Sequence, residues 1–419
     1  MTQIAKTATA GIETCRFCGS RLEDFVDLGM SPLCENFLSA DQLNRIENFY
    51  PLHVFVCPDC LLAQLQEYVA PQDIFSEYAF FSSYSDSWVD HAHRFVETVV
   101  SRFALGPHSQ VVELASNDGY LLQYFVQRQI PALGIDPAAN VVRAARERGV
   151  ETLVAFFDAK LAGKLSAEER QADLIIGNNV LAQVPNLNSF VAGIRILLKP
   201  HGVVTLEFPH LLQLIRNNQF DTIHHERFSY FSLMAMERIA ARHGLRIFDV
   251  EELWTQGGSL RAYLCHAEDR SHAEDYSVAT LLQQEREAGL ERLSTYGAFA
   301  ERVMETKRKL LDFLIRVKRE GRHVVAYGAP GKGNTLLNYC GIGKDFIDYT
   351  VDRNPYKHGR FLPGTHIPIY PPERIARTRP DYVLILPWNL KEEIMGQLSY
   401  ARDWGCRFVV PIPETTIHF

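Results

Sequence analysis

The sequence predicts an α/β chain in three parts: a small N-terminal metal-binding module, a central domain on a doubly wound parallel sheet, and a C-terminal Rossmann-like α/β domain. Three observations carry this. Two Cys-x-x-Cys pairs stand near the start, strands and helices alternate through the middle, and a second strand, glycine-rich turn and helix start begins at His323. At 419 residues the chain exceeds one ordinary core. The expected divisions are 1–72, 73–300 and 301–419.

Composition narrows the class. An apolar fraction of 47% and a charged fraction of 22% are those of a water-soluble globular chain. A net charge of −7 with no Lys/Arg-rich stripe argues against a nucleic-acid partner. No apolar run is long enough for a bilayer span, so no membrane partner is expected. The opening MTQIAKTATAGIETC lacks the apolar stretch of a signal peptide, and a cytoplasmic location is expected. Eight cysteines in such a chain read as metal ligands and buried thiols rather than disulfides.

Cys15-Arg-Phe-Cys18 and Cys57-Pro-Asp-Cys60 have the spacing that lets two thiolates chelate one ion, and two such pairs make a tetrahedral zinc site. Gly19 and Pro58 suit the tight turns of such knuckles. Four sulfur ligands leave no open position, so the zinc is expected to be structural. A redox pair would be single and follow a strand in a βαβ unit, which neither pair does. Cys34, Cys265, Cys340 and Cys406 stand alone and read as core or incidental.

In the central part, residues 86–106 form an amphipathic helix with Trp88, His91, Phe95, Val99 and Phe103 on one stripe. A strand from Gln110 then breaks into the loop Glu113-Leu-Ala-Ser-Asn-Asp-Gly. Further strands are read over 132–136, ending on Asp136, over 173–178, ending on Asn178 and Asn179, and over 202–207. Ligands of such sheets sit at the carboxyl ends of the strands, where Asp136 can accept both hydroxyls of a ribose. An adenosine cofactor fits, either NAD or S-adenosylmethionine. The loop separates them. Its two acids would repel a pyrophosphate but suit the cationic, phosphate-free methionine end of S-adenosylmethionine. Methyl transfer is favoured over hydride transfer.

Gln283 to Glu320 reads as a long helix or helix pair joining domains. From His323 a strand leads into Gly328-Ala-Pro-Gly331-Lys332-Gly333 and a helix, without the order of a Walker A loop. ATP hydrolysis is therefore not expected. The turn can still bind phosphate through backbone N–H groups, with Lys332 as a point charge. Strands are read again over Phe346–Asp352 and from Asp381 towards Trp388 and Asn389.

The two knuckles, the Glu113-x-x-Ser-Asn-Asp-Gly-Tyr loop, the run Asp221-Thr-Ile-His-His-Glu-Arg-Phe-Ser-Tyr-Phe-Ser and the tail together resemble the nucleotide-sugar C-methyltransferases of deoxysugar pathways, from about residue 14 to the end. The resemblance implies a zinc-binding N-terminal domain, a central S-adenosylmethionine methyltransferase domain and a C-terminal domain that helps hold a nucleotide sugar. The substrates it implies are dTDP-linked 4-keto deoxysugars, methylated on the carbon beside the ketone. It places Tyr78, Glu113, Ala115, Asn117, Asp136, Pro137, Phe157, Asn178 and Asn179 at the cofactor, with Ala115 where the family usually has glycine. It places Ser259 and Arg261, in a Gly-Gly-x-x-Arg-like turn, near the active site and its substrate, with a plain glycine turn into a strand as the alternative reading. It places Lys332, Lys357, Trp388 and Asn389 near the nucleotide or a domain interface.

Carbon methylation beside a ketone needs a base for an inert C–H and donors for the enolate oxygen. The family supplies them from a Tyr-x-Glu-His run, a His after the third strand and a Tyr in a YxYxSS segment. Here the run reads His224-His225-Glu226-Arg227, Gln183 stands for the His, and Tyr78-Ala-Phe80-Phe81-Ser82-Ser83 has Phe80 at the second tyrosine. Arg227 stays protonated and is not a base. The expectation is that His224 or His225 takes the proton, Glu226 orients the imidazole and Arg227 stabilises the enolate. Oxygen methylation, isomerisation or cyclisation on the same scaffold, and a non-enzymatic sensing role, are the alternatives.

Overall fold

The computed structural model describes residues 14–75, 82–84 and 86–419. Its strands form three sheets of four, seven and six strands among those residues.

The N-terminal sheet begins with β1 (Glu23–Ser31), β2 (Tyr50–Val56) and β3 (Ala63–Leu65), paired antiparallel in that order. Along β2 the alternate residues Leu52, Val54 and Val56 are buried on one face, and Phe55 on the other face is buried as well. On β1, Phe25 packs edge-on against Tyr296 and beside Phe299, at ring separations of 5.1 and 5.2 Å. Both rings belong to the helix Leu293–Arg319, so the N-terminal sheet rests on the helix that leads to the C-terminal domain.

The central sheet is built from β4 (Val111–Leu114), β5 (Ala132–Asp136), β6 (Glu151–Val154), β7 (Ala172–Asn178) and β8 (Leu198–Pro209), all parallel. The next strand, β9 (Ser229–Tyr230), leaves this sheet and pairs with β3. The chain then returns as β10 (Leu245–Leu253) and β11 (Ser259–His266), giving the order β10-β11-β8-β7-β4-β5-β6 with β11 antiparallel to β8. β4 lies between β5 and β7, which makes its carboxyl end the switch point where a ligand cleft opens. The helix read over 86–106 spans Asp86–Arg102. Phe95 and Val99 of its stripe are buried, while His91 on the same stripe reaches Glu207.

The expected linker is a helix pair, Tyr276–Glu287 and Leu293–Arg319, broken around Gly289 at φ +80°. The C-terminal sheet follows: β12 (Val324–Tyr327), β13 (Thr350–Val351), β14 (Ile369–Tyr370), β15 (Tyr382–Ile385), β16 (Arg407–Val410) and β17 (Thr416–His418). Its order is β14-β13-β12-β15-β16-β17, parallel except for β17. The strand expected over Phe346–Asp352 shrinks to Thr350–Val351, because the Phe346 and Ile347 amides donate back to the Gly343 carbonyl and close a turn. No helix of the described residues is long and apolar enough to cross a membrane.

Candidate active site

The four knuckle cysteines converge. Cys15 and Cys60 bring their sulfurs to 3.5 Å and Cys18 and Cys57 to 3.4 Å, and all four lie within 4.8 Å of one another. Tetrahedral zinc with bonds of about 2.3 Å needs sulfurs roughly 3.8 Å apart, so the set fits the ion with small adjustment. The Gly19 amide donates to the Cys15 carbonyl and the Leu61 amide to the Cys57 carbonyl, both at 2.9 Å, with Gly19 and Leu61 at positive φ. The two knuckles share one turn. Gln64 donates to Cys15 Sγ at 3.2 Å, an outer-sphere bond of the kind that steadies a thiolate ligand.

A cavity of about 620 Å³ opens at the carboxyl edge of the central sheet. Asp136, at the end of β5, is held by backbone N–H groups from Asn117 and Ala138, each at 2.9 Å. Burial raises its pKa and these two donors oppose the rise. Asn117 accepts in turn from the Ser82 amide at 3.0 Å, tying the loop to the segment that leads into the helix Asp86–Arg102. Ala115, Asn117, Asp136, Pro137, Phe157, Asn178 and Asn179 all line the cavity. Phe157 stands edge-on to Phe190 at 5.4 Å, an apolar wall suited to an adenine. Glu113 lies beneath this lining; burial, then Asp136 and Asp118, hold its pKa well above the ordinary carboxylate value. Oε2 of Glu113, Oδ1 of Asn178 and the whole carboxamide of Asn179 are buried without hydrogen-bond partners. Orphaned polar atoms at a cleft are what a polar cofactor would satisfy, and the acids suit a cationic one. Tyr78, Phe80 and Phe81 lie outside the described residues.

Across the cavity runs the segment after β8. His224, Glu226 and Arg227 line it. The His224 amide donates to the Tyr230 hydroxyl at 3.3 Å. Arg227 donates to the Thr222 carbonyl at 3.2 Å and to Gln256 at 3.4 Å. Burial, then Arg227, keeps the His224 imidazole neutral, well below its usual pKa. Burial, then Glu35, pushes Glu226 up to about 8. His225 is turned off the cavity, its ring nitrogen 3.1 Å from the Pro51 carbonyl and its ring edge-on to Tyr50. His224 is therefore the imidazole of the run that faces the cavity. Gln183, at the position of the expected histidine, also lines it.

The far end carries cations from the C-terminal domain. Lys332 lies in the first turn of the helix Gly331–Cys340, and it and Lys357 face the cavity. Lys332 donates to Asn389 at 2.8 Å and sits 4.6 Å from the centre of the Trp388 ring. Burial lowers its pKa to about 8 against the pull of Asp221. Trp388 and Asn389 thus stand behind Lys332 rather than on the cavity wall. Lys357 donates to the Ala329 carbonyl at 2.8 Å.

Ser259 and Arg261 are placed elsewhere. Ser259 is buried and donates to the Thr255 carbonyl at 3.0 Å. Arg261 is buried between Glu207 at 2.7 Å and Glu251 at 2.9 Å, its guanidinium 4.4 Å from the Phe95 ring centre. Burial raises the Glu207 pKa, but the His91 hydrogen bond and the Arg261 charge outweigh it and hold the carboxylate ionised. The register of β11 against β8 puts Arg261 directly opposite Glu207, so this pair belongs to the sheet. Gly257 of the same turn does reach a neighbouring domain, since a Cβ there would come within 2.5 Å of Trp388.

Cys34 and Glu35 were not singled out as site residues by sequence reasoning, yet both line the cavity. They follow β1 in the metal module, and Cys34 Sγ lies 3.7 Å from Glu226.

Comparison with known proteins agrees with these three parts. A zinc binding domain model matches residues 15–75, a methyltransferase domain model residues 88–250, and a C-methyltransferase C-terminal domain model residues 254–413. The C-methyltransferase NovU of Streptomyces niveus is 37% identical over 407 residues, covering 97% of each chain. Among solved structures, the PH0226 protein of Pyrococcus horikoshii is 18% identical, with a TM-score of 0.37 over 48% of this chain and 99% of its own. Magnesium protoporphyrin IX methyltransferase of Synechocystis is 16% identical, with a TM-score of 0.33 over 43% and 82%. With a relative this similar along nearly its whole length, the chain belongs to the C-methyltransferase family, as an S-adenosylmethionine-dependent enzyme with an N-terminal zinc-binding domain.

Proposed function

We propose that this enzyme methylates the carbon beside the ketone of a nucleotide-linked 4-keto deoxysugar, with a dTDP-sugar as the first substrate to assay. The observation that carries the reading is the continuity of the cavity, which runs from Asp136 past His224–Arg227 to Lys332 and Lys357. An anionic diphosphate suits the lysine end, at the amino end of a helix. That seating would leave the sugar beside the histidine–glutamate loop.

S-adenosylmethionine supplies an electrophilic methyl group when bound. The chain's own residues prepare the carbon that receives it. Neutral His224 and Glu226, whose pKa lies near working pH, are the groups placed to take the C–H proton. Arg227, fixed by Thr222 and Gln256, is placed to stabilise negative charge on the ketone oxygen as that proton leaves. Asp136 and the Asn178–Asn179 pair hold the cofactor end.

The test is incubation with the cofactor and dTDP-, GDP- and UDP-linked 4-keto deoxysugars. The expected product is heavier by one methyl group, with NMR placing it on carbon. Deuterium exchange at that carbon should be lost in His224→Asn and Glu226→Gln. No mass change with any of the three sugars, or a methyl on oxygen, sinks the proposal.

A further inference from the structure

Cys34, His224 and Glu226 each present a ligand atom within 4.8 Å of the other two, and all three line the cavity. They come from two parts of the chain that the fold presses together. Cys34 follows β1 and is wedged against the C-terminal domain, where a Cβ on Gly331 would come within 2.8 Å of its sulfur. His224 and Glu226 share the loop before β9. The Cys34 Sγ to Glu226 Oε1 distance of 3.7 Å matches a tetrahedral edge, about 3.6 Å for zinc bonds of about 2.3 Å to sulfur and 2.1 Å to oxygen. Nδ1 of His224 is buried with no hydrogen-bond partner. A ligand on that nitrogen would satisfy it.

We infer that Cys34, His224 and Glu226 form a second divalent-cation site, of the zinc class, whose fourth position opens into the cavity. One sulfur, one nitrogen and one oxygen donor suit a borderline ion rather than magnesium or calcium, which prefer oxygen alone. Three protein ligands with an open fourth position is also the arrangement of catalytic zinc, in contrast to the closed four-cysteine site. The surrounding charges divide. Arg227 and Lys332 approach His224 and oppose a cation, while the carboxylate of Glu35 beside Glu226 favours one. An ion there takes up the lone pairs that His224 and Glu226 would otherwise offer to a proton. The loop then acts as a Lewis acid, able to hold a carbonyl oxygen at the open position. A bound ion and the proton-accepting roles proposed above for His224 and Glu226 exclude one another, so the ion-loaded loop is a state distinct from the base form. Metal content is read without substrate, and its outcome is separate from that of the sugar reading.

The test is metal content of the full chain after incubation with excess zinc sulfate and gel filtration. Two zinc ions per chain are expected in the unaltered protein, and one in Cys34→Ala and in His224→Ala. The zinc kept by the four cysteines reports that the N-terminal module is still folded in each variant. One ion per chain in the unaltered protein overturns the inference, and so do two ions in both variants. Should a variant lose both ions, cobalt titration of the unaltered protein decides. A second equivalent that adds a further, smaller thiolate-to-cobalt band supports the site, and one that adds none overturns it.

Discussion

Trp388 donates its indole N–H to Oδ2 of Asp221 at 2.7 Å, joining the C-terminal domain to the segment that runs on to His224 and Arg227. Both groups are buried, so the bond has no water to replace it. Trp388→Phe keeps a ring beneath Lys332 but strands the carboxylate oxygen. Hydrogen bonds to charged groups are worth about 1.5–3 kcal/mol, so urea unfolding should show a loss of that order. The turnover number should fall with it, because the loop loses an anchor.

The same carboxylate sets a pH dependence. Burial raises the Asp221 pKa from 3.8 to about 6, against the attraction of Lys332. Between those values the folded chain binds a proton that the unfolded chain has lost, so stability falls as pH rises through the window and levels off above it. The slope for one proton is at most about 1.4 kcal/mol per pH unit. Asp221→Asn should remove this contribution, giving a flatter stability profile between pH 4 and 6 in denaturant titrations. An unchanged profile would show that Asp221 titrates normally.

Lys332 and Lys357 are expected to act on the substrate rather than the cofactor. Lys332→Met and Lys357→Met should each raise KM for a nucleotide sugar about 10- to 100-fold, the worth of a charge-assisted hydrogen bond of about 1.5–3 kcal/mol. Calorimetry with S-adenosylhomocysteine should show unchanged affinity. Because burial lowers Lys332 to about 8, its charge is present below that pH and lost above it. KM should therefore climb above about pH 8, well before an ordinary lysine would titrate.

Arg261 offers a clear contrast between support and contact. Arg261→Leu leaves Glu207 buried with only part of its pairing, and breaking a buried pair costs about 3–5 kcal/mol. Thermal unfolding should show the loss, with KM for the sugar little changed in protein kept below the transition. A raised KM at unchanged stability would put the arginine on the substrate after all.

What could be read from the sequence was what local spacing controls. The knuckles are legible because three-residue spacing fixes where two thiolates point. The cleft at the carboxyl edge of the central sheet is legible because strand ends and the acids on them lie a few residues apart. The setting of Arg261 was not legible because its partner is set by strand register, visible only once β11 is known to lie antiparallel against β8. Cys34 gave no signal for a different reason: its neighbour Glu226 lies 192 residues further along the chain. Ala115 was read as a small departure from glycine, and the structure gives the change a backbone meaning. It sits at φ +57°, a conformation that costs a residue with a Cβ about 1–2 kcal/mol.

The pairing of Ser229 and Tyr230 with β3 bears on how this enzyme could be re-engineered. A graft of the N-terminal module onto another methyltransferase would leave β3 with a bare edge. It would also free the downstream end of the His224–Arg227 loop. The transferable unit is therefore a discontinuous one, the cysteine module together with the loop and strand that close its sheet. Chimaeras cut at the junction near residue 75 should lose activity even when both halves keep their own ligands.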